Sequence, residues 1–471
     1  MFSNRVLGLC GVLSCLWLVG CASDDKPIEA TDEPSLEGTL CDGQAGLSAV
    51  APSADGTRVA FVSCSGSSPA VIVHDLATHD EVNLGEVPDG SSVEWLPSAR
   101  SDEPQKYLLY GLPSELWVRA ADASTDAVRV AEGDSGALHR AILQRISDTE
   151  FAPRLHVLSA VEGTLTLSVR DPHDDYATAT ELYAGSDILP DLSQISGSGR
   201  TVILTPTEED QGYVQVQWNT NKAMWQTSTL SFGPADWVMA PVGLGDTHNF
   251  ALHGDQLVRV ELKTGAIEEI VASGEGLLDG TAHLVDREDA PGTKYVYYIL
   301  NGDPTRRDRD GKMAPETLAE ANAVAQQLTP DESTLLYLTD GELRGVPAEG
   351  GAAQLLVDRK NETGRIDAAF AGSGSAFVYT VGGTVYRVDL ADGTASELSG
   401  VSVEQGSVTY DGLGTAILFL DEAGNLVSAP DSTLSPETVA TSVTNFWPVP
   451  KSAKILAVSD GVLRLYPADA P

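Results

Sequence analysis

Positive charge is scarce in this chain of 471 residues. Lysine and arginine together number 29 against 68 aspartates and glutamates, a formal net charge of −39. Such a field repels polyanions, so nucleic acid and anionic lipid headgroups are excluded as direct partners, and a cationic or neutral partner is favoured. Long apolar runs are missing too. The stretch over residues 6–19 is shorter than the roughly 20 residues of a comfortable membrane span. Aromatic residues make up only 6% of the chain, which offers no obvious sugar-stacking platform. There is no GxSxG nucleophile elbow.

What is present begins with an export signal. Arg5 is the only charge before position 21, the apolar stretch follows, and a polar, acidic tail begins where it stops. The residues at that boundary, Leu18-Val19-Gly20-Cys21, resemble the bacterial lipobox. In that family the signal is cut before the cysteine, whose sulfur then carries diacylglycerol. The resemblance implies lipidation of Cys21 and attachment to the membrane through the lipid anchor. Several acyl chains on one residue hold stably, at about 0.8 kcal/mol per buried methylene. An ordinary secretory signal with a chance cysteine is the alternative. Ala22 and Ser23 follow the cysteine, with acids only at Asp24 and Asp25. In the proteobacterial family an aspartate directly after the cysteine favours the inner membrane. The resemblance therefore implies the outer membrane, facing the periplasm or the surface.

Five cysteines become two after such processing, because Cys10 and Cys15 leave with the signal and Cys21 is lipidated. Cys41 and Cys64 then remain in an oxidising compartment. A disulfide between them would contribute on the order of 3 kcal/mol; two free thiols are the alternative. The expected organisation is a signal peptide over 1–20, a lipidated acidic tether with a closing strand over 21–46, and a repeat-built body over 47–471.

The body repeats. PSADGTRVAFV from Pro52 sets a polar, glycine-containing turn before an alternating apolar strand. The shape returns as SGSGRTVILT, TPDESTLLYLT, AGSGSAFVYT, DGLGTAILFL and PKSAKILAV. Aligned on the turn, Phe61, Leu204, Tyr337, Tyr379, Phe419 and Ala457 share one position. Degenerate copies around Tyr110, Val157, Ala251 and Tyr297 fill the two wide gaps and bring the count to about ten units of 40–49 residues. A second and a third strand usually follow each of these. Four short antiparallel strands per unit make one propeller blade, so the expected fold is an all-β propeller. It forms either a single ring of 7–10 blades or, less favoured, two smaller rings. Residues 301–322 fit the repeat least. Pro315, followed by good helix formers, reads there as a short helix on an inserted loop.

Pro52-Ser53-Ala54-Asp55-Gly56-Thr57-Arg58-Val59-Ala60-Phe61-Val62 and Val71-Ile72-Val73-His74-Asp75-Leu76, with a partial match at Thr329-Pro330-Asp331-Glu332, resemble the WD40-like PD40 repeat of TolB-type propellers. That family implies a propeller in the bacterial envelope, with no activity attached.

The chemical motifs are weak. Gly133-Asp134-Ser135-Gly136 matches a serine-protease nucleophile, but His74 lies in a strand-like context and Ala137 replaces the second glycine. Asp171, His173, Asp174 and Asp175 are of metal-binding type, yet such residues are common in hairpin turns. Asp308-Arg309-Asp310-Gly311 fails the EF-hand spacing. Glu94, Asp191, Asp236, Asp367 and Glu404 recur 12 to 16 residues before the aligned position. They are the candidates for a carboxylate ring at a channel mouth, able to hold a cation or a basic peptide. No catalytic residue, metal or cofactor is assigned. The favoured expectation is a non-catalytic, membrane-anchored interaction module or scaffold for another envelope protein. The rivals are a channel-sited hydrolase or lactonase and a cation or small-ligand sensor.

Overall fold

The computed structural model describes residue 36, residues 38–40 and residues 49–468, apart from short internal stretches of which 239–247 and 285–294 are the longest. The described chain forms ten four-stranded antiparallel sheets in a ring, a ten-bladed β-propeller. Among the described residues the only helical element is a three-residue turn, Pro172–Asp174. Blade 1 runs from Val50–Pro52 to Glu81–Glu86, blade 2 from Ser92–Trp95 to Val128–Glu132, and blade 3 from Ser135–Arg145 to Thr180–Gly185. Blade 4 runs from Ile188–Ile195 to Met224–Leu230, blade 5 from Asp236–Val238 to Ile267–Val271, and blade 6 from His283–Leu284 to Glu316–Thr317. Blades 7, 8 and 9 begin at Ala325–Leu328, Ala368–Phe370 and Thr409–Tyr410 and end at Gln354–Asp358, Ala395–Glu397 and Glu437–Ala440. Blade 10 has three strands from the end of the chain, Val443–Pro448, Lys454–Ser459 and Val462–Pro467. Its fourth is Gly38–Thr39, paired with Val462 and Leu463.

The first strand of each blade lies toward the first strand of its neighbour, as between blades 1 and 2, 3 and 4, and 8 and 9, which makes it the innermost. The second strand carries the repeat. Phe61, Tyr110, Val157, Leu204, Ala251, Tyr297, Tyr337, Tyr379, Phe419 and Ala457 fall on the ten second strands, and all are buried. The degenerate units are blades like the others, and there is one ring. A single four-stranded blade cannot bury both of its faces, so neighbours supply the cover. The apolar clusters accordingly bridge pairs of blades. Leu158, Leu167, Leu204 and Val216 join blades 3 and 4. Leu36, Leu40, Val59, Phe61, Trp447 and Leu463 join blade 10 to blade 1.

The short helix expected at Pro315 is not formed. Glu316–Thr317 is the outermost strand of blade 6, and the helix-prone run after it leads into the innermost strand of blade 7. Packing overrides propensity here. Leu318 and Ala323 are drawn into the cluster between blades 6 and 7, and the Glu316 carboxylate accepts from Nε of Arg306 at 3.0 Å.

Several of the arginines work at the seams. Arg58 of blade 1 lies 4.7 Å from the ring centroid of Trp95 in blade 2 and donates to the carbonyl of Gln105. Arg119 reaches back to the carbonyl of Leu84 at 2.6 Å, and Arg307 to that of Ile270 at 2.8 Å. Arg140 donates to Ile195 and Arg306 to Ala348. Arg387 of blade 8 grips Asp431 of blade 9 through two bonds, at 2.8 and 3.0 Å. A guanidinium with five donors suits such bridging, because it binds carbonyls and carboxylates at a fixed angle.

Candidate functional site

The aspartates of the repeat serve its turns. Between the first and second strands, Asp55 accepts from Thr57 N–H and Asp331 from Ser333 N–H, at 3.1 and 3.2 Å. Partial burial raises both carboxyl groups, but the hydrogen bonds they accept outweigh it and hold them below the usual range. Between the third and fourth strands, Asp75 accepts from the N–H groups of Ala77 and Thr78, each at 2.9 Å. Between the second and third strands of blade 9, Asp421 does the same for Ala423 and Asn425. These are Asx-type turns, in which the side chain substitutes for a backbone acceptor.

Glu94 is on the innermost strand of blade 2, exposed between buried Val93 and Trp95. Its Oε2 lies 3.3 Å from Nε2 of His139, on the innermost strand of blade 3. Nothing in the sequence sets His139 apart from other polar residues in strands. Asp191 and Asp236 also fall on innermost strands, of blades 4 and 5; their side chains lie outside what is described. Asp367 and Glu404 lie outside the described residues, as do Cys21 and Cys41. Cys64 is disulfide-bonded. The neighbouring Ser63 bridges to Leu40.

The other motifs resolve into local structure. His74 sits on the third strand of blade 1 with Nδ1 3.3 Å from Glu81, whereas Ser135 begins the innermost strand of blade 3; Gly133 and Asp134 lie outside the described residues. In RDPHDDY, Asp171 caps the N–H of His173 and Asp174 accepts from that of Thr178, both at 2.9 Å. Asp175 accepts from the Tyr107 hydroxyl across the seam between blades 2 and 3. Burial and that carboxylate push the hydroxyl up to about 12. Asp308 folds its own loop by accepting from the N–H of Lys312 and of Met313. Among the described residues, no three metal-ligating side chains converge.

A different arrangement of charge emerges at the outer edge. The outermost strands of eight blades each carry an exposed carboxylate: Glu86, Glu132, Glu181, Glu269, Glu316, Asp358, Glu397 and Glu437. Charge on an edge strand discourages edge-to-edge pairing. Repeated around a ring, it also makes an acidic rim. Arginines soften it locally, as at Arg129–Glu132 and Arg306–Glu316. Two outermost strands lack an acid. One is Gly38–Thr39, only two residues long. The other is Met224–Leu230 of blade 4, with the sequence MWQTSTL.

No family model matches the chain, and no curated protein matches it. Among solved structures it is similar to the tricorn protease, at 10% identity and a TM-score of 0.30, over 88% of this chain and 51% of that one. It is also similar to an oligogalacturonate lyase in complex with manganese, at 13% identity and a TM-score of 0.34, over 89% and 97%. This chain thus spans about half the length of the tricorn protease chain. Likenesses this low carry no argument about activity.

Proposed function

We propose that this protein is a lipid-anchored component of the bacterial envelope, a non-catalytic propeller that holds a basic partner protein at the membrane surface. The observation that carries the reading is the placement of charge. Several arginines turn into the seams between blades, while exposed carboxylates ring the outer edge and outnumber the arginines there. A ring with a predominantly acidic rim attracts a partner of opposite sign and speeds its encounter. The lipobox-like Leu18-Val19-Gly20-Cys21 supports the anchor, and Ala22-Ser23 after it, in place of an aspartate, favours the outer membrane.

Two measurements test this. Labelling with a palmitate analogue marks the wild-type chain, and Cys21→Ser abolishes the label and releases the protein from the membrane fraction. Crosslinking in intact cells captures a basic envelope protein, and the yield falls as ionic strength rises, because exposed charges are screened beyond about 8 Å at physiological salt. Persistent label on Cys21→Ser would remove the anchor. Capture indifferent to salt would remove the electrostatic partner.

A further inference from the structure

We propose that the outermost strand of blade 4, Met224–Leu230, is a docking edge that accepts an extended segment of a basic partner as a fifth strand. This rests on the reading of a cationic partner and gives it a place. The strand is the longest of the ten outermost strands, at seven residues. All seven pair with Tyr213–Asn219 on the inner side, from Tyr213↔Leu230 to Asn219↔Met224, without a register break. Every second residue of a strand turns its N–H and C=O away from its partner strand. On the outermost strand those groups form an open edge. Met224, Gln226, Thr227, Ser228 and Thr229 are exposed.

Eight other blades blunt this edge with a carboxylate, and blade 10 ends on two residues. Blade 4 does neither. A long, uncharged edge of this kind is the feature that strand addition requires and that other sheets suppress. The strand is also firmly backed. Trp225 meets Trp218 edge-on at 5.6 Å and the buried His156 of blade 3 at 5.5 Å. A rigid edge loses little entropy when a peptide is added.

The surroundings choose the occupant. The Thr227 hydroxyl donates to the carbonyl of Leu182 in blade 3, next to the exposed Glu181; blade 5 carries the exposed Glu269 beside Glu268, which Arg259 holds, and Lys222 is an exposed cation in the turn before the strand. A strand laid on this edge enters the gap in an acidic rim, so lysine or arginine at alternate positions complements it. A second copy of this chain brings the same negative charge and is repelled.

The test uses the full-length protein held in detergent and two synthetic decapeptides, one alternating Lys and Val, the other alternating Glu and Val. The Lys-Val peptide is expected to slow hydrogen exchange of amides within Met224–Leu230 and to leave those of Ala395–Glu397 unchanged. The Glu-Val peptide is expected to bind at least tenfold more weakly. Thr227→Pro and Ser228→Pro are made separately. Consecutive residues face opposite sides, so one of the two removes an outward N–H while sparing the ladder to Tyr213–Asn219. The variant that keeps the wild-type melting temperature is expected to lose binding by tenfold or more. If the peptide binds that variant unchanged, or protects amides elsewhere on the rim, the edge is overturned while the acidic-rim reading stands. If neither peptide binds anywhere, the cationic-partner reading falls with it. A concentration-dependent dimer abolished by the same proline would assign the edge to a second copy and overturn the proposal.

Discussion

The N–H of Leu40 donates to the carbonyl of Gly461 at 3.2 Å, which ties the start of the described chain to its last hairpin. Leu36 and Leu40 are both buried among side chains of blades 1 and 10. Leu36, Gly38, Thr39 and Leu40 are therefore part of the ring's closure. Leu40→Ala is expected to cost about 2–4 kcal/mol, as for other buried leucines. Chemical denaturation checks it. A loss below about 1 kcal/mol would mean that the ring closes without this contact.

Gly56 and Pro450 show how closely the two ends meet. A Cβ on Gly56 would stand 1.9 Å from the carbonyl oxygen of Pro450, and the residue has φ +72. Gly163 has a similar φ of +77, and a Cβ added there would meet nothing within 4 Å. Gly163→Ala is expected to cost only the left-handed strain, about 1 kcal/mol. Gly56→Ala adds a backbone clash and is expected to lower the melting temperature several degrees further. Equal melting temperatures for the two variants would show that the closing turn relaxes freely.

The Arg387–Asp431 pair links blades 8 and 9, with the Tyr410 hydroxyl also donating to Asp431 at 3.2 Å. Hydrogen bonding to that carboxylate raises the Arg387 guanidinium further above its ordinary value. Arg387→Lys keeps the charge but loses the two-pronged geometry. It is expected to recover less than half of the roughly 2 kcal/mol lost in Arg387→Ala, a loss typical of charge-assisted pairs. Denaturant midpoints decide between them. Full recovery by lysine would show that charge alone holds the seam.

The propeller is legible in the sequence because its signal is local and repeated. A polar turn followed by an alternating strand recurs, and the aligned Tyr337, Tyr379 and Phe419 are all buried at equivalent places. Even the degenerate units at Val157 and Ala251 keep the aligned residue apolar, since the seams demand it. The helix expected at Pro315 fails because propensity is local, whereas Leu318 and Ala323 answer to blade 7. The rim is hidden in the sequence for a related reason. Each acid in an outermost strand is unremarkable alone, and its neighbours in the ring come from other repeats, far along the chain. The pairing of Glu94 with His139 depends in the same way on two blades meeting.

Acid should weaken this protein in two separable pH windows. His156 is fully buried between blades 3 and 4, and neither ring nitrogen has a partner among the described residues. Gln144 on the innermost strand of blade 3 is equally buried, with both amide atoms unpartnered among the described residues. Burial first, then the nearby Arg154 and Arg140, pushes the imidazole down from 6.5 to about 4. The unfolded chain takes up the proton more readily than the fold does. The neutral imidazole's share of stability is therefore complete above pH 6.5 and lost as pH falls toward 4, on the order of 3 kcal/mol in all. The turn carboxylates Asp55 and Asp331 have folded values below 3.8, so their share is intact above that pH and lost only beneath it. His156→Phe is expected to flatten the stability profile between pH 6.5 and 4 and leave the lower step in place. Asp331→Ala is expected to cost about 1–2 kcal/mol near neutral pH and to converge on wild type in strong acid. Urea midpoints measured from about pH 7.5 to about pH 2.5 follow both. A His156→Phe profile parallel to wild type through the upper window would show that the imidazole is not held neutral in the seam.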